Sequence, residues 1–192
     1  MPDVLVLGPQ FRFPNIRDAL ARTGLSGPVV TITAGWQERE GELAALEGHL
    51  GHPVRDLRLY ERAEAVFNQD AELHETHRRR QADLRRLQEL YRIRLSHAKA
   101  AARELFATGE DSELMRNARR AALSAIRRLD AEHLKAIGRI HARWDARLGV
   151  RTRPVLARQL EELDNLVEKA GVVCLAGGHV AVLLNRLRLF GL

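Results

Sequence analysis

The stretch from Ala63 to Phe106 contains neither glycine nor proline, and its apolar residues recur at helical intervals. Intervals of three, four and their sums form a heptad-like seam, which predicts one long α-helix. The seam residues are Leu73, His77, Leu84, Leu87, Tyr91, Ala98, Ala101 and Leu105. At about 1.5 Å per residue the helix would be roughly 60 Å long, far beyond one face of a small sheet.

A second long helix is predicted from Glu113 to about Leu148, after a break at residues 108–112. Gly109 is expected to end the first helix, and Asp111 or Ser112 to cap the second. The second seam would carry Leu114, Ala118, Ala121, Ala125, Leu129, Ile137, Ile140 and Trp144. A short loop between long helices indicates an antiparallel hairpin, with small alanines at the contact and arginines on the outer faces.

The two ends of the chain instead alternate short apolar runs with helical patterns. Strands are predicted at residues 3–8, 28–33 and 55–60, with helices at 16–22 and 37–50 between them. A further helix opens at residues 152–154 and ends at Gly171, and a last strand and helix follow. Strands joined by single helices imply right-handed crossovers and a parallel sheet.

The predicted fold class is α/β, a small parallel flavodoxin-like sheet of about four strands with a long antiparallel helical hairpin inserted before the last strand. Residues 1–61 would form the first part of the α/β domain and residues 62–151 the basic hairpin. Residues 152–192 would supply the last helix, strand and helix. This division also separates the charge, because residues 62–151 hold about 20 Lys and Arg against about 13 Asp and Glu in a chain of net charge +6.

The arginines of the hairpin are candidates for binding a partner. They are Arg78, Arg79, Arg80, Arg85, Arg86, Arg119, Arg120, Arg127 and Arg128. They could contact phosphates, or form a solvated face with local ion pairs. Aromatic residues are few and no nucleic-acid motif occurs, so a protein partner or self-association is favoured over nucleic acid.

Composition excludes several other classes. No run approaches eighteen apolar residues and the start lacks a signal-peptide pattern, so no membrane partner is expected and the predicted location is the cytoplasm. Cys174, the single cysteine, is expected to be a buried thiol. No nucleotide-binding glycine motif or paired-cysteine spacing occurs, so no cofactor is expected. His74 and His77 have a spacing that can bind a metal, but no third ligand is evident, His77 fits the seam, and no metal is expected.

The stretch from Gly171 to Leu187 reads as a strand, a tight turn and a helix start. This pattern places free backbone N–H groups at the carboxyl end of a buried strand, where open α/β proteins bind ligands. The candidate ligand-binding residues are Gly177, Gly178 and His179, and the candidate crevice-lining residues are Gly8, Gly35 and Trp36. Instead of contacting a ligand, His179 could shape the turn. Instead of lining the crevice, Trp36 could make a core contact.

Four segments carry a family resemblance: Val4–Gln10, Ile32–Glu40, Leu59–Phe67 and Leu175–Leu187. They resemble the amino-terminal part of the class I glutamine amidotransferase-like superfamily, in particular the cyanophycinase and dipeptidase E type of serine hydrolase. The resemblance extends over nearly all of the chain, including the helical insertion. It implies that the turn at Gly177 and Gly178 helps form an oxyanion hole, with a nucleophilic serine elbow on the next strand and further triad members beyond.

No serine of this sequence matches that elbow. Ser26, Ser96, Ser112 and Ser124 all lie outside any G-x-S-x-G or similar turn. The chain by itself is therefore expected to be hydrolytically silent: a fragment of a longer hydrolase, a truncation kept for binding, or a protein completed by strands of another chain. The alternative function is a non-enzymatic interaction module that uses the basic hairpin.

Overall fold

A computed structural model describes residues 4–10, 12–148 and 153–192. The chain forms two compact units. The first, here called the α/β unit, comprises residues 1–70 and 150–192, and the second, the hairpin unit, comprises residues 71–149. Within the described ranges, no helix has both the length and the apolar composition needed to cross a membrane.

The α/β unit contains a parallel three-stranded sheet of order β2-β1-β3. Its strands are β1 (Val29–Ile32), β2 (Arg55–Asp56) and β3 (Val172–Leu175). All residues of β1 are buried, which agrees with the continuous apolar run predicted there. The parallel α/β arrangement is confirmed.

The expected first strand is absent from the described part of residues 3–8. Residues 4–10 have no regular secondary structure, and Val4 and Val6 are 83% and 87% exposed. Both edges of β1 are already occupied, by β2 and β3, so this apolar run has no strand beside β1 to pair with. The side chain of Gln10 accepts hydrogen bonds from the N–H groups of Asn15 and Ile16 (2.8 and 3.0 Å), which holds the chain in a turn before the first helix.

The expected strand at residues 55–60 is shorter than predicted. It ends at Asp56, whose carboxylate accepts hydrogen bonds from the hydroxyls of Thr31 and Thr33 (2.8 and 2.7 Å) and from the N–H of Arg58 (2.6 Å). Arg58 adopts a left-handed backbone conformation (φ 51°), and a helix begins at the next residue. These bonds turn the chain out of the sheet.

The helices of the α/β unit are α1 (Ile16–Thr23), α2 (Ala44–Leu50), α3 (Leu59–Gln69), α6 (Pro154–Glu168) and α7 (Val180–Phe190), together with a 3₁₀ segment (Ala34–Arg39). The single helix expected at residues 37–50 is wrong, because the 3₁₀ segment and a bend at Gly41 (φ 92°) precede α2. The helix expected from Ala63 is divided at Asp70, whose carboxylate pairs with Arg153 over 2.5 Å.

The hairpin unit consists of α4 (Ala71–Ala107) and α5 (Glu113–Leu148). Ion pairs Asp83–Arg143 (2.8 Å) and Arg94–Glu132 (3.1 Å) join the two helices. As the residue numbers increase along α4, those of the partners in α5 decrease, so the predicted antiparallel hairpin is confirmed. Ser112 caps α5 by accepting from the N–H of Met115 (3.1 Å).

The phase of the predicted seams is partly wrong. In α4 the buried alanine is Ala102, whereas Ala101 is exposed. In α5 Leu129 and Trp144 are buried as expected, but Leu114, Ala121 and Ala125 are exposed. Half-buried positions of α5 instead include Met115, Ala122 and Ile126. Adjacent alanines offer two seams about one residue apart, and the larger side chains Met115 and Ile126 bury more area in the observed phase.

Candidate functional site

Two turns at the carboxyl edge of the sheet form the candidate site. The first follows β1 and contains Gly35 and Trp36, and the second follows β3 and contains Gly177, Gly178 and His179. The N–H of His179 donates to the carbonyl oxygen of Gly35 over 2.8 Å. We call these five residues the edge site. The structure thus brings together five of the six residues that the sequence singled out as ligand-binding or crevice-lining.

The backbones of the two turns approach so closely that side chains do not fit between them. Gly178 has a φ of 141°, and a Cβ there would lie 2.5 Å from the carbonyl oxygen of Gly35. A Cβ on Gly35 would lie 3.2 Å from the Cα of Gly178. Around Gly177, in contrast, a Cβ would meet nothing within 4 Å. Packing therefore accounts for two of the three glycines and leaves Gly177 facing open space.

The helix that follows the second turn presents unpaired donors at its start. His179 caps α7, because its Nδ1 accepts from the N–H of Val182 (3.3 Å). In the described part of the chain, no protein acceptor is bonded to the N–H groups of Gly177, Gly178, Val180 and Ala181. All four residues are exposed. Free N–H groups and the positive end of the helix dipole can together hold an anion or a developing oxyanion.

Gln37, next to Trp36, is strained. Its φ of 59° and ψ of −122° lie in a region that non-glycine residues rarely occupy, and its side chain is half-buried. Such strain costs on the order of 1–3 kcal/mol and concentrates at functional sites. A lone glutamine after a strand carries no distinctive signal, so Gln37 could not be predicted as a site residue from the sequence.

A carboxylate also lies near the strand ends. Glu40 accepts hydrogen bonds from the N–H groups of Tyr60 (3.0 Å) and Glu61 (2.8 Å), which satisfies two donors at the start of α3. Burial raises the pKa of Glu40, and the two backbone hydrogen bonds oppose this rise. The hydroxyl of Tyr60 donates to Glu38 (2.9 Å), and this bond raises the pKa of Tyr60.

A buried arginine packs against the same helix. Arg186 of α7 is 8% exposed and pairs with Glu64 over 2.7 Å. Its guanidinium lies 5.3 Å from the ring centre of Tyr60 and 5.2 Å from that of Phe67. Burial lowers the pKa of Arg186, while Glu64 opposes the shift. The one available sequence signal was a charge within the apolar face of α7, beside Leu183 and Leu189.

Two other predicted features lie elsewhere or are inert. Gly8 is in the exposed segment before α1, where its carbonyl accepts from the side chain of Gln10 (2.8 Å), and its place in the crevice stays a prediction. Cys174 is half-buried in β3, and this burial raises the pKa of its thiol. A raised pKa disfavours the thiolate, which makes Cys174 a poor nucleophile.

Most hairpin arginines have partners within the hairpin unit. Arg79, Arg86 and Arg128 pair with glutamates on their own helices. Arg80 is buried and pairs with Asp145 (3.4 Å). The remaining contacts are those of Arg119 with the carbonyls of Leu105, Thr108 and Glu110, and of Arg120 with Asn117.

Three of the nine arginines form no ion pair with a described residue. Arg78, Arg85 and Arg127 are exposed, and among the described residues none of them has an acidic group within ion-pair distance. His77 lies beside the guanidinium of Arg80 (3.1 Å). Across the described ranges, no group of three His, Cys, Asp or Glu side chains is placed to hold a metal ion.

Comparisons of the chain with protein-family models, with curated proteins and with solved structures found no match in any of the three. A functional hypothesis for this chain therefore depends on the geometry of the edge site and on the resemblance of its motifs.

Proposed function

We propose that this chain is part of an amidotransferase-like serine hydrolase, in which the edge site holds the carbonyl oxygen of a peptide or amide substrate. The single observation that carries the proposal is the set of exposed, unpaired N–H groups at Gly177, Gly178, Val180 and Ala181. Donors fixed in advance stabilise the oxyanion that forms when an acyl group is attacked.

The chain would contribute the oxyanion turn and its scaffold, without the nucleophile. Ser112 caps α5, and the hydroxyl of Ser96 donates to the carbonyl of Ile93 (2.7 Å), so both act in local helix structure. Ser26 and Ser124 lie outside the turns of the edge site. Donors and binding without a nucleophile leave little catalysis, which is why the chain alone should be inactive.

We further propose that residues 4–7, which have no regular secondary structure here, can pair with the outer edge of β3 as the fourth strand that the flavodoxin-like prediction requires. The N–H groups of Val172 and Ala176 donate to the carbonyls of Pro28, just before β1, and of Ile32, at its end. In a parallel ladder alternate residues face opposite neighbours. Val173 and Leu175 would then direct their backbone groups to the outer edge of β3. Their side chains are 44% and 58% exposed, and an apolar run such as Val4–Leu7 matches that edge.

The alternative function is a non-enzymatic module that binds an acidic protein partner through the hairpin. The specific observation in its favour is that Arg78, Arg85 and Arg127 are exposed and form no ion pair with a described residue. Solvated arginines at these positions would contact carboxylates of a partner at little desolvation cost, and binding would weaken with salt.

An NMR titration of the full chain separates the two functions. One ligand is a phosphinic dipeptide, whose tetrahedral P–O⁻ group resembles the oxyanion, and the other is the ordinary dipeptide. The hydrolase proposal expects shifts of the amide signals of Gly177, Gly178 and Ala181, with the phosphinic compound bound at least about tenfold more tightly. Absence of saturable shifts at the edge site would contradict it.

Two glycine variants serve as a matched pair in this titration. Gly178→Ala should abolish binding, because its Cβ would displace the turn from Gly35. Gly177→Ala should bind as the unaltered chain does, because its Cβ has open space and its N–H is retained. If Gly178→Ala fails to fold, Trp36→Ala tests the edge site without altering the turn at Gly177 and Gly178, and it should weaken binding of the phosphinic compound. The hairpin alternative instead expects both glycine variants to retain binding of a poly-glutamate peptide, and Arg85→Gln to weaken it.

A further inference from the structure

A cleft lies at the opposite edge of the sheet from the edge site. It has a volume of about 340 Å³ and is lined by Arg55, Arg62, Glu162, Asn165, Leu166 and Lys169. Arg55 is the first residue of β2, and Lys169 follows the last residue of α6, just before β3 begins. Both positions are at the amino ends of parallel strands, whereas the edge site is at the carboxyl ends. We call this space the basic cleft.

The cations of the basic cleft differ in whether their side chains already have hydrogen-bond or ion-pair partners. Arg62 donates through Nε to the carbonyl of Leu57 (2.9 Å) and through Nη1 to Glu162 (2.6 Å), and it also bonds to Gln159. Its side chain is largely buried, so it forms a fixed wall. The Arg62–Glu162 pair is neutral as a unit.

Arg55 and Lys169 are the free charges of the cleft. Both side chains are exposed, and no ion pair or hydrogen bond joins either one to another described residue. With Arg62 and Glu162 cancelling each other, the lining has two uncompensated positive charges. Like charges facing one small space repel each other, and a bound anion would remove that repulsion.

The remaining lining residues limit the ligand further. Leu166 supplies an apolar wall, and the side chain of Asn165 donates to the carbonyl of Glu161 (2.8 Å). The amide oxygen of Asn165 therefore stays available to accept from a hydroxyl group. The volume is near the lower end for ligand pockets, which suits a charged group with a few carbon atoms.

We infer that the basic cleft binds a small phosphate monoester, with Arg55 and Lys169 contacting the dianionic phosphate. Arg55 offers a planar fork of donors and Lys169 a point charge, and both geometries are used to bind phosphate. Leu166 would contact the carbon part of the ester. The site is independent of the proposed hydrolase function, because it lies at the other edge of the sheet.

Calorimetric titration of the full chain with glycerol 3-phosphate and with inorganic phosphate tests the inference. Binding should be saturable, and tighter for the ester because Leu166 and Asn165 contact only the ester's carbon and hydroxyl groups. Arg55→Gln and Lys169→Gln should each weaken binding about tenfold or more, the usual effect of losing a charge-assisted hydrogen bond. Both residues are exposed, so the variants should fold.

Arg158→Gln is the matched control, since Arg158 is an exposed cation of α6 that does not line the cleft. Its affinity should stay within about twofold of the unaltered chain. Equal weakening by all three variants, or non-saturable binding, would show general charge attraction and overturn the inference. An NMR titration with glycerol 3-phosphate locates the bound ester. Shifts of amide signals confined to Gly177–Ala181 would place the phosphate at the edge site, which overturns the inference about the basic cleft and leaves the proposed function in place.

Discussion

The N–H of His179 donates to the carbonyl oxygen of Gly35 over 2.8 Å, and this bond fixes the turn after β3 against the turn after β1. The two residues are far apart in sequence and follow neighbouring parallel strands, β1 and β3. Because His179 also caps α7 through its Nδ1, one residue ties the sheet to the start of the last helix. The donors of the edge site are thereby held in place before any ligand binds.

Replacing Gly178 should destabilise the α/β unit far more than replacing Gly177. Gly178→Ala combines a φ of 141° with a Cβ 2.5 Å from the oxygen of Gly35, so we expect a loss of about 2 kcal/mol or more in the free energy of unfolding. Gly177→Ala should change it by less than about 0.5 kcal/mol. Urea unfolding followed by circular dichroism measures both. Equal stabilities would show that the close approach is not a constraint.

The strain at Gln37 predicts a stabilising substitution. Gln37→Gly should raise the free energy of unfolding by about 1 kcal/mol, because glycine adopts φ 59°, ψ −122° without the Cβ clash. Gln37→Ala keeps the Cβ and should give no such gain. If both variants have the same free energy of unfolding in urea, the stabilisation does not come from relief of backbone strain.

The raised pKa of Glu40 predicts that the free energy of unfolding depends on pH. Burial raises its pKa above the ordinary 4.5, so the folded state binds the proton more tightly than the unfolded state. The stability that Glu40 contributes is therefore fully present below the unfolded pKa and is lost as pH rises through the folded pKa. Relative to Glu40→Gln, the unaltered chain should lose free energy of unfolding as the pH rises from below the ordinary 4.5 through the raised pKa of the folded state.

Glu42 provides a control of opposite sign for this pH series. Arg39 lowers the pKa of Glu42, so its contribution is present at neutral pH and is lost as pH falls through the folded pKa. Both side chains of this pair are exposed, so the effect should be small. A series in which Glu40→Gln and Glu42→Gln follow the same trend would contradict the assignment for Glu40.

The observed seam of the hairpin unit predicts different outcomes for two adjacent alanines. Ala102 is buried, so Ala102→Leu should overpack the helix contact and cost about 1–3 kcal/mol. Ala101 is exposed, and Ala101→Leu should change stability by less than about 0.5 kcal/mol. The reverse order in thermal unfolding would support the seam that the sequence predicted.

Features set by local sequence could be predicted, and features set by distant contacts could not. The apolar run of β1 and the two glycines before α7 locate the edge site, because a strand, a turn and a helix cap are each encoded within a few residues. The start of α3 is different. Its first donors bond to Glu40, which lies 20 residues before Tyr60, and this contact makes Leu59 and Tyr60 helical where alternation alone predicted a strand.

Arg186 illustrates the same limit for the site. Within α7 it is one charge among leucines, and only the packing of α3 gives it Glu64 as a partner and two rings to stack on. The hairpin shows a third cause of error, since two neighbouring alanines satisfy the same helical spacing and burial decides between them. Its antiparallel pairing, in contrast, followed from helix length and a short loop alone.

The proposed fourth strand predicts that a charge at Val6 is costly. Val6 is 87% exposed when residues 4–10 are unpaired, and Val6→Lys would then change the free energy of unfolding by less than about 0.5 kcal/mol. If residues 4–7 pair with the outer edge of β3, the same substitution should cost about 1 kcal/mol and speed amide exchange at Val173 and Leu175. Phe13→Lys, at an equally exposed position outside the segment, should leave those two amides unchanged. Rapid exchange of Val173 and Leu175 in the unaltered chain would contradict the fourth strand, since an unpaired edge offers their N–H groups only to water.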